Sequence, residues 1–535
     1  MQSSPALTCE RDVFAQAYDG DDRAIPVVSR NRILALCLPD VSLVVSIVTL
    51  FYCLFLFDGW QKLFRDSDTG WHIRTGESIA LMRELPKSDP YSFTRAHQPW
   101  IDWEWGADLL SGIAHRAAGL AGVAATFAVA IAACSWLWFR LNFAVNGSLL
   151  LACALAPMML STANIHWLAR PHVFGWLFLL VFLRFIERLR DRSFTLGWAV
   201  GFFALGACWS NFHASFVLAP VAGLLYAFAA WLKPRIWNGE DRRAALPFAA
   251  AAASFAAGTL LNPYGWTLHA HVASYLANSE LLDRIGEFQT FNFHTAGSAQ
   301  ILIAVAVCGI GAVVALTQRR LEHFLLITLL MVFGLRSARG LPILALAALP
   351  LANGAISAAL RKSRGLAPKL RGQLTGFFNY DDRLRVIDRG LSGVVMVPVV
   401  LLVLLAIVRS PAIAAHAGFP PDQFPVLASA SVSQLPRTAR ILAPDKFGGY
   451  LIYRFNGSRK VYFDGRSDFY GAPFMKDYIG LVEVRPGWRE QVARLGFTHA
   501  LLPVNYSLVP ALEQSGWRTV YKDATATLLA APEHN

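Results

Sequence analysis

The stretch RDSDTGWH, residues 65–72, decides how the rest of the chain is interpreted. It places two carboxylates, Asp66 and Asp68, just past the first hydrophobic run of the sequence. The polar segment that it opens continues to Trp105, where a second apolar stretch begins. Acidic side chains in such a position are candidates for a functional site at a membrane boundary.

The composition is that of a chain with most of its mass in lipid. Hydrophobic residues make up 55% of the 535 positions and charged residues only 16%, whereas soluble domains have about 25% charged residues. The net charge of +12 would suit nucleic acid. However, Arg and Lys gather in short connections between apolar runs, as in membrane proteins. We therefore predict a membrane partner and no nucleic acid.

Apolar runs of the length that crosses a bilayer, about 20 residues, predict a polytopic α-helical membrane protein with about 11 spans. They lie near 39–57, 119–139, 146–164, 171–187, 195–211, 214–232, 245–262, 299–317, 321–336, 341–358 and 391–409. Basic residues mark every second connection, beginning with the tail 1–38. This pattern predicts a cytoplasmic N-terminus and a C-terminus outside.

Three polar segments fall on the predicted outer side. The first outer loop, 58–118, is expected to form amphipathic helices at the lipid interface, with Trp as anchors and with one such helix at 107–115. A second long outer loop covers 263–298. The tail, 410–535, predicts a small extracytoplasmic α/β domain, because helix-like runs alternate there with strand-like runs at 440–442, 460–463, 499–502 and 518–521. The transmembrane domain then covers 39–409.

Asp66 and Asp68 are predicted to be the catalytic pair. In an extended loop, residues two apart point to the same side. The two carboxylates could share a divalent cation, Mg²⁺ or Mn²⁺, through oxygen ligands. Alternatively, one could act as a general base while the other keeps its charge. A pair of solvated interfacial acids is the simpler explanation, but the position of the pair at the outer boundary favours function.

Other polar side chains in the outer segments are candidates for substrate binding. Asp102 and Glu104 alternate with Trp residues, which can stack on sugars or form an aromatic belt. His213 lies at a tight turn between two spans and is the strongest histidine candidate. His72 and His172 are also predicted to bind substrate. Most of the other outer histidines are expected to be ordinary interfacial residues.

Three arginines break the rule that basic residues lie inside: Arg170, Arg336 and Arg339. A guanidinium at the outer leaflet suits a lipid phosphate, because it presents several donors in a fixed fork. It could equally pair with the acids of 58–118 or with lipid headgroups.

Several motifs together resemble the bacterial GT-C-type membrane glycosyltransferases. They are Asp66-x-Asp68-x-x-Trp71-His72, Asp89-Pro90-Tyr91-Ser92, Glu104-Trp105, Asn211-Phe212-His213, Asn262-Pro263-Tyr264-Gly265-Trp266 and, in the tail, Gly448-Gly449-Tyr450 and Phe463-Asp464-Gly465-Arg466. The resemblance covers most of the chain and is most specific in the first outer loop.

The resemblance implies a GT-C-like fold in the bacterial inner membrane with a periplasmic tail. It implies transfer of a sugar from an undecaprenyl-phosphate-linked donor to a glycan, lipid or protein acceptor, with inversion. Asp66 would be the base, and Asp68 would assist it or bind a metal. Arg336 or Arg339 as a ligand of the donor phosphate is our inference from position.

Three alternatives stay open. A transporter or flippase for a lipid-linked glycan predicts polar residues in mid-span, whereas the charges here gather at span ends. A non-catalytic envelope scaffold predicts that the loop acids tolerate substitution. An oligosaccharide ligase would use a larger donor. The run Asp464-Gly465-Arg466 could bind acceptor, but a turn with a salt bridge is the interpretation we favour.

Overall fold

The computed structural model describes residues 32–238, 245–363 and 365–532. Most of the expected N-terminal tail, 1–38, therefore lies outside the described residues. The described chain is mainly helical, with long apolar helices packed side by side and a small sheet near the C-terminus. Polar connections meet at one end of the helices, and this end carries the candidate site.

Ten helices form the first half of the described chain. They are α1 (Arg32–Cys37), α2 (Val41–Phe55), α3 (Gly59–Lys62), α4 (Asp68–Met82), α5 (Trp105–Ala144), α6 (Leu149–Ala163), α7 (His172–Leu189), α8 (Leu196–Ser210), α9 (Leu218–Ile236) and α10 (Ala245–Gly258). Side chains cap two of these helices, since Asp40 accepts a hydrogen bond from Leu43 N and Ser148 accepts one from Leu151 N.

Eight further helices complete the membrane part. They are α11 (Trp266–Ala277), α12 (Ser279–Leu282), α13 (Ser298–Thr317), α14 (Leu321–Arg336), α15 (Gly340–Ile343), α16 (Leu349–Lys362), α17 (Pro368–Arg389) and α18 (Met396–Val408). A π-helical turn, Leu344–Ala348, joins α15 and α16 into one continuous helix.

Each apolar run that the sequence marks coincides with a helix. Among the described residues, six helices are long and apolar enough to cross a membrane. The chain is therefore a multi-pass membrane protein by its helices, as predicted. The count of 11 spans stays a prediction, because several of the remaining apolar helices are short.

The first outer segment does not lie on the lipid interface as isolated amphipathic helices. Helix α4 packs against the start of α5, where a side chain on Gly76 would come within 1.7 Å of Asp108 O. Trp71 and Trp100 are buried instead of serving as interfacial anchors. The stretch expected to form a separate amphipathic helix, 107–115, is the beginning of α5, which kinks at Ala118 and Gly119.

The tail forms the predicted small α/β domain. Its helices are α19 (Pro411–Ala414), α20 (Ser429–Gln434), α21 (Asp445–Arg454), α22 (Ser467–Val482), α23 (Trp488–Leu495) and α24 (Leu508–Gln514). Its strands are β1 (Ile441–Leu442), β2 (His499–Pro503), β3 (Arg518–Lys522) and β4 (Ala526–Ala530), in the order β1-β2-β4-β3. The predicted strand at 460–463 is wrong: it makes only a bridge between Val461 and Ser92 of the first outer segment.

Glycines let the tail domain approach the first outer segment closely. A Cβ on Gly70 of α4 would lie 2.4 Å from Gly449 O of α21, and a Cβ on Gly449 would lie 2.6 Å from Ser67 O. Beside this contact, Arg74 donates two hydrogen bonds to Tyr453 O, at 3.0 and 2.7 Å. The two backbones therefore touch immediately next to Asp68.

Arg466 fastens the tail domain to the first outer segment. Its buried guanidinium pairs with Asp464 and with Asp89, each at 2.7 Å, and lies 4.7 Å from the centre of the Trp100 ring. The run Asp464-Gly465-Arg466 is thus a turn with a buried salt bridge, the interpretation that the sequence favoured.

We predict that Arg466→Ala destabilises the protein by about 3–5 kcal/mol, because it leaves two buried carboxylates without their cation. Thermal unfolding in detergent measures this change. Arg485→Ala is the matched control, since its ion pair with Glu483 is exposed and should contribute about 0–1 kcal/mol. Equal shifts in Tm for the two variants would contradict the prediction.

Candidate functional site

Arg170 is the centre of an ion-pair cluster. Its Nη1 lies 2.8 Å from Asp66 Oδ2 and 2.9 Å from Glu287 Oε1, and its Nη2 lies 2.8 Å from Asp68 Oδ2. Asp66 immediately precedes α4, Arg170 precedes α7, and Glu287 belongs to the second outer loop. Three segments that are distant in sequence therefore meet at one guanidinium.

Glu287 extends the cluster to Arg339. The Nε of Arg339 donates to Glu287 Oε2 at 2.5 Å, and its Nη2 contacts the same oxygen. Burial raises the pKa of Glu287, but Arg339 and Arg170 together hold it well below its usual value. Burial likewise lowers the pKa of Arg170, but the carboxylates around it raise that pKa well above its ordinary value. Both arginines and Glu287 are therefore charged at neutral pH.

Asp66 and Asp68 face the same way for a reason that the sequence analysis missed. They are not in an extended loop: Asp68 is the first residue of α4, and Asp66 Oδ1 accepts a hydrogen bond from Asp68 N at 2.9 Å. The positive end of the helix dipole favours carboxylates at this point. Burial raises the pKa of Asp68 to about 7, although Arg170 lowers it.

Asp66 and Asp68 share a protein cation in this arrangement. Both engage Arg170, which takes the place that a shared cation would occupy. Within 32–238, 245–363 and 365–532, no group of three or more His, Cys, Asp or Glu side chains could hold a metal ion. The Mg²⁺ or Mn²⁺ ion stays a prediction from sequence.

Glu104 lies between two histidines next to this cluster. Its carboxylate is 3.8 Å from His72 Nε2 and 3.4 Å from His213 Nε2. The Nδ1 of His213 accepts a hydrogen bond from Ser215 N, so the proton of the neutral ring is on Nε2, facing Glu104. Burial lowers the pKa of His213 to about 3 and raises that of Glu104 to about 8. At neutral pH both groups are therefore mainly uncharged.

Asp102 lies deeper than a substrate contact would require. It is 1% exposed, and neither of its carboxylate oxygens has a hydrogen-bond partner among the described residues. Burial raises the pKa of Asp102 to about 7. Asp108 also contacts His72, with 2.6 Å between Oδ1 and Nδ1. Asp102 is thus one of the buried residues that hold His72 and Glu104 in position.

The two remaining predicted residues differ in position. His172 is beside the site, with its ring centre 6.5 Å from that of His213 and its Nε2 at 2.8 Å from His166 O. Arg336 is exposed at the end of α14 and forms no ion pair with the described residues. The structure thus brings together all the predicted site residues except Arg336.

Two contributors to the site, Glu287 and Asp108, escaped the sequence analysis, and so did the contact between Gly465 and Asp68. Glu287 falls in the second outer loop, but no spacing in the sequence pairs it with Arg170. Asp108 carried no motif signal. Gly465 of the tail lies against the site so closely that a Cβ on it would be 1.8 Å from Asp68 Oδ1.

A cavity of about 510 Å³ opens next to the cluster. Its lining combines polar side chains with apolar ones and draws on the first outer loop, the end of α6, the second outer loop and the tail: Arg65, Ser161, Asn164, Ile165, Leu168, Phe291, Ala296, Gly297, Ile301 and Gln423. Arg65 is adjacent in sequence to Asp66, and Leu168 lies two residues before Arg170. The cavity therefore lies beside segments that carry the cluster, although Asp66, Asp68, Arg170, Glu287 and Arg339 do not line it.

The fold and this cluster define a multi-pass membrane protein with a charged site at one end of its helices. No protein-family profile matches the chain, and no curated protein matches it. Among solved structures, it is similar to the oligosaccharyltransferase of Archaeoglobus fulgidus tethered to an acceptor peptide. The identity is 13% and the TM-score 0.49, over 86% of this chain and 68% of that one. For the apo form of that enzyme, the identity is 12% and the TM-score 0.49, over 86% of this chain and 69% of that one. Likeness at this level carries no argument about family or function.

We predict that Glu104→Gln stabilises the protein at pH 8.5 and has little effect at pH 5. The folded-state pKa of about 8 exceeds the ordinary 4.5, so the wild type loses stability as the pH rises through this interval. Glutamine stays neutral and avoids the loss, which is about 1–4 kcal/mol. Thermal unfolding of both proteins at the two pH values tests this. An equal Tm difference at both would contradict it.

Proposed function

We propose that the chain transfers a sugar from a lipid-linked donor to an acceptor at the Arg170 cluster. The observation that carries the proposal is the convergence of carboxylates and two guanidiniums beside a cavity at the ends of apolar helices. Sugar transfer from a phosphate needs a base for the acceptor hydroxyl and positive charge for the leaving phosphate. The cluster contains both kinds of group.

Arg339 is our candidate for binding the donor phosphate. Its side chain is 33% exposed, whereas that of Arg170 is 14% exposed and is held by three carboxylates. The apolar part of the cavity wall, with Ile165, Leu168 and Phe291, suits the first isoprene units of a polyprenyl chain. A donor bound there would present its phosphate at the charged end, next to Arg65 and the cluster.

Asp66 is our candidate base. Its side chain is 20% exposed, against 9% for Asp68, so an acceptor can approach it more easily. The acceptor oxygen would attack the anomeric carbon and give its proton to Asp66, while the phosphate departs with the electrons of the broken bond. Attack opposite the leaving group inverts the anomeric centre. Asp68 would keep Arg170 in place, and Glu104 and His213 would line the acceptor side.

The proposal includes a topology. The N-terminus would be cytoplasmic and the tail domain periplasmic, in the inner membrane of a bacterium. The donor would be an undecaprenyl-phosphate-linked sugar, and the acceptor a glycan, lipid or protein of the envelope. The pattern of basic connections supports the orientation, and the motifs of the first outer loop support the donor class.

Asp66→Asn should abolish transfer, because an amide cannot take the hydroxyl proton at neutral pH. The test compares the masses of envelope glycans from cells with wild-type protein, with the variant and without the protein. Asp58→Asn is the control, since Asp58 is exposed and does not cap α3. A full glycan profile with Asp66→Asn would remove the proposed mechanism.

Gly465→Ala should reduce transfer about 100-fold, the effect of moving a catalytic group by roughly 1 Å, because the new methyl group displaces the Asp68 carboxylate. The same glycan comparison measures this, with Tm as a check on folding. Gly480→Ala is the control, because a Cβ there meets open space. Wild-type transfer by the Gly465 variant would show that the tail domain does not position Asp68.

A further inference from the structure

Helix α17 crosses the ends of two long helices. Its Asp381 accepts hydrogen bonds from Ser148 Oγ and Leu150 N, both at 2.8 Å, at the start of α6. Its Asp388 accepts one from Val41 N at 2.6 Å, at the start of α2. Because both contacts are with helix N-termini, α17 lies across the helix ends and does not run alongside the helices.

This end of the helices is opposite the candidate site. Helix α2 begins at α17 and leads to the segment of Asp66, and α6 begins at α17 and leads to the segment of Arg170. The continuous helix Gly340–Lys362 starts next to Arg339 and rises about 35 Å before the connection to α17. That length matches the thickness of a bilayer, so α17 is at the other membrane boundary.

One flank of α17 exposes large apolar side chains. Phe377, Tyr380 and Ile387 are 40%, 58% and 38% exposed, and their helical spacing places them along one stripe with Leu370 and Leu384. The buried face beside this stripe carries Phe378, Asp381 and Asp388. An exposed apolar stripe on a docked helix needs a partner, because such patches are unfavourable in water.

The remaining face carries basic side chains together with the exposed Val386 and with Asp382. Lys369, Arg371, Arg383 and Arg389 are exposed, and none of them forms an ion pair with another described residue. Arg361, at the end of α16, shows the contrast, since it pairs with Asp381 and Asp382. The basic face lies next to an apolar stripe, at the level where the spans end. This combination complements a bilayer surface whose headgroups are negatively charged and whose acyl chains are apolar.

We propose that α17 lies in the membrane interface and binds the headgroups of acidic phospholipids. The apolar stripe contacts the acyl chains, and the four basic side chains bind lipid phosphates in the leaflet opposite the Arg170 cluster. The hydrogen bonds of Asp381 and Asp388 fix this helix to α6 and α2, so bound lipid stabilises the packing of the spans. This surface is separate from the proposed transfer site.

The test uses the full chain in nanodiscs of phosphatidylcholine, with and without phosphatidylglycerol. The quadruple variant K369Q/R371Q/R383Q/R389Q is compared with wild type. Its matched control neutralises four exposed basic residues of the tail domain and is K476Q/R494Q/R518Q/K522Q. Native mass spectrometry counts retained phosphatidylglycerol, and thermal unfolding gives the lipid-dependent rise in Tm at low and high salt.

Wild type and control should retain phosphatidylglycerol and gain Tm from it, with the gain lost at high salt. The quadruple variant should lose most of the gain while keeping the Tm measured in phosphatidylcholine. Should it fail to fold, K369Q/R371Q and R383Q/R389Q, tested separately, should each lose about half of it. An unchanged gain in the variants, an equal loss in the control, or the same gain from soluble glycerophosphate would overturn the proposal.

Discussion

The Arg170 guanidinium, bound to three carboxylates, is the interaction on which the arrangement of the site depends. Removing charged groups from water is costly, and a buried cation is tolerated only where its partners are in place together. These partners come from the segment before α4 and from the second outer loop. The ends of several helices must therefore lie at fixed positions relative to one another. Glu287 also pairs with Arg339, so the position of Arg339 depends on the same arrangement.

The tail domain belongs to this arrangement. Gly465 and Gly449 bring its backbone against Asp68 and Ser67, and Arg466 is buried with an acid from the first outer segment. Because these glycines leave no room for a Cβ at the contact, the domain cannot move toward α4 without moving Asp68. The charged cluster therefore has a wall made by the C-terminal part of the chain.

Much of this fold could be predicted from sequence, because lipid dictates the length of an apolar helix. Arg170 and Arg339 also stood out, since they broke the distribution of basic residues. Their common partner, Glu287, could not be predicted, because it depends on how a long loop folds over α7. The strand expected at 460–463 failed for a similar reason: Val461 pairs with Ser92, far away in sequence. Asp66 and Asp68 lie together through a helix start and a shared arginine instead of an extended loop, and their catalytic role stays a prediction.

A structure of the protein in nanodiscs with a non-reactive analogue of a polyprenyl-phosphate sugar tests the central claim most directly. The account predicts the analogue's phosphate within hydrogen-bond distance of Arg339, with Asp66 on the opposite side of the anomeric carbon. A phosphate bound away from the cluster, or an Asp66 that the sugar cannot reach, would contradict it.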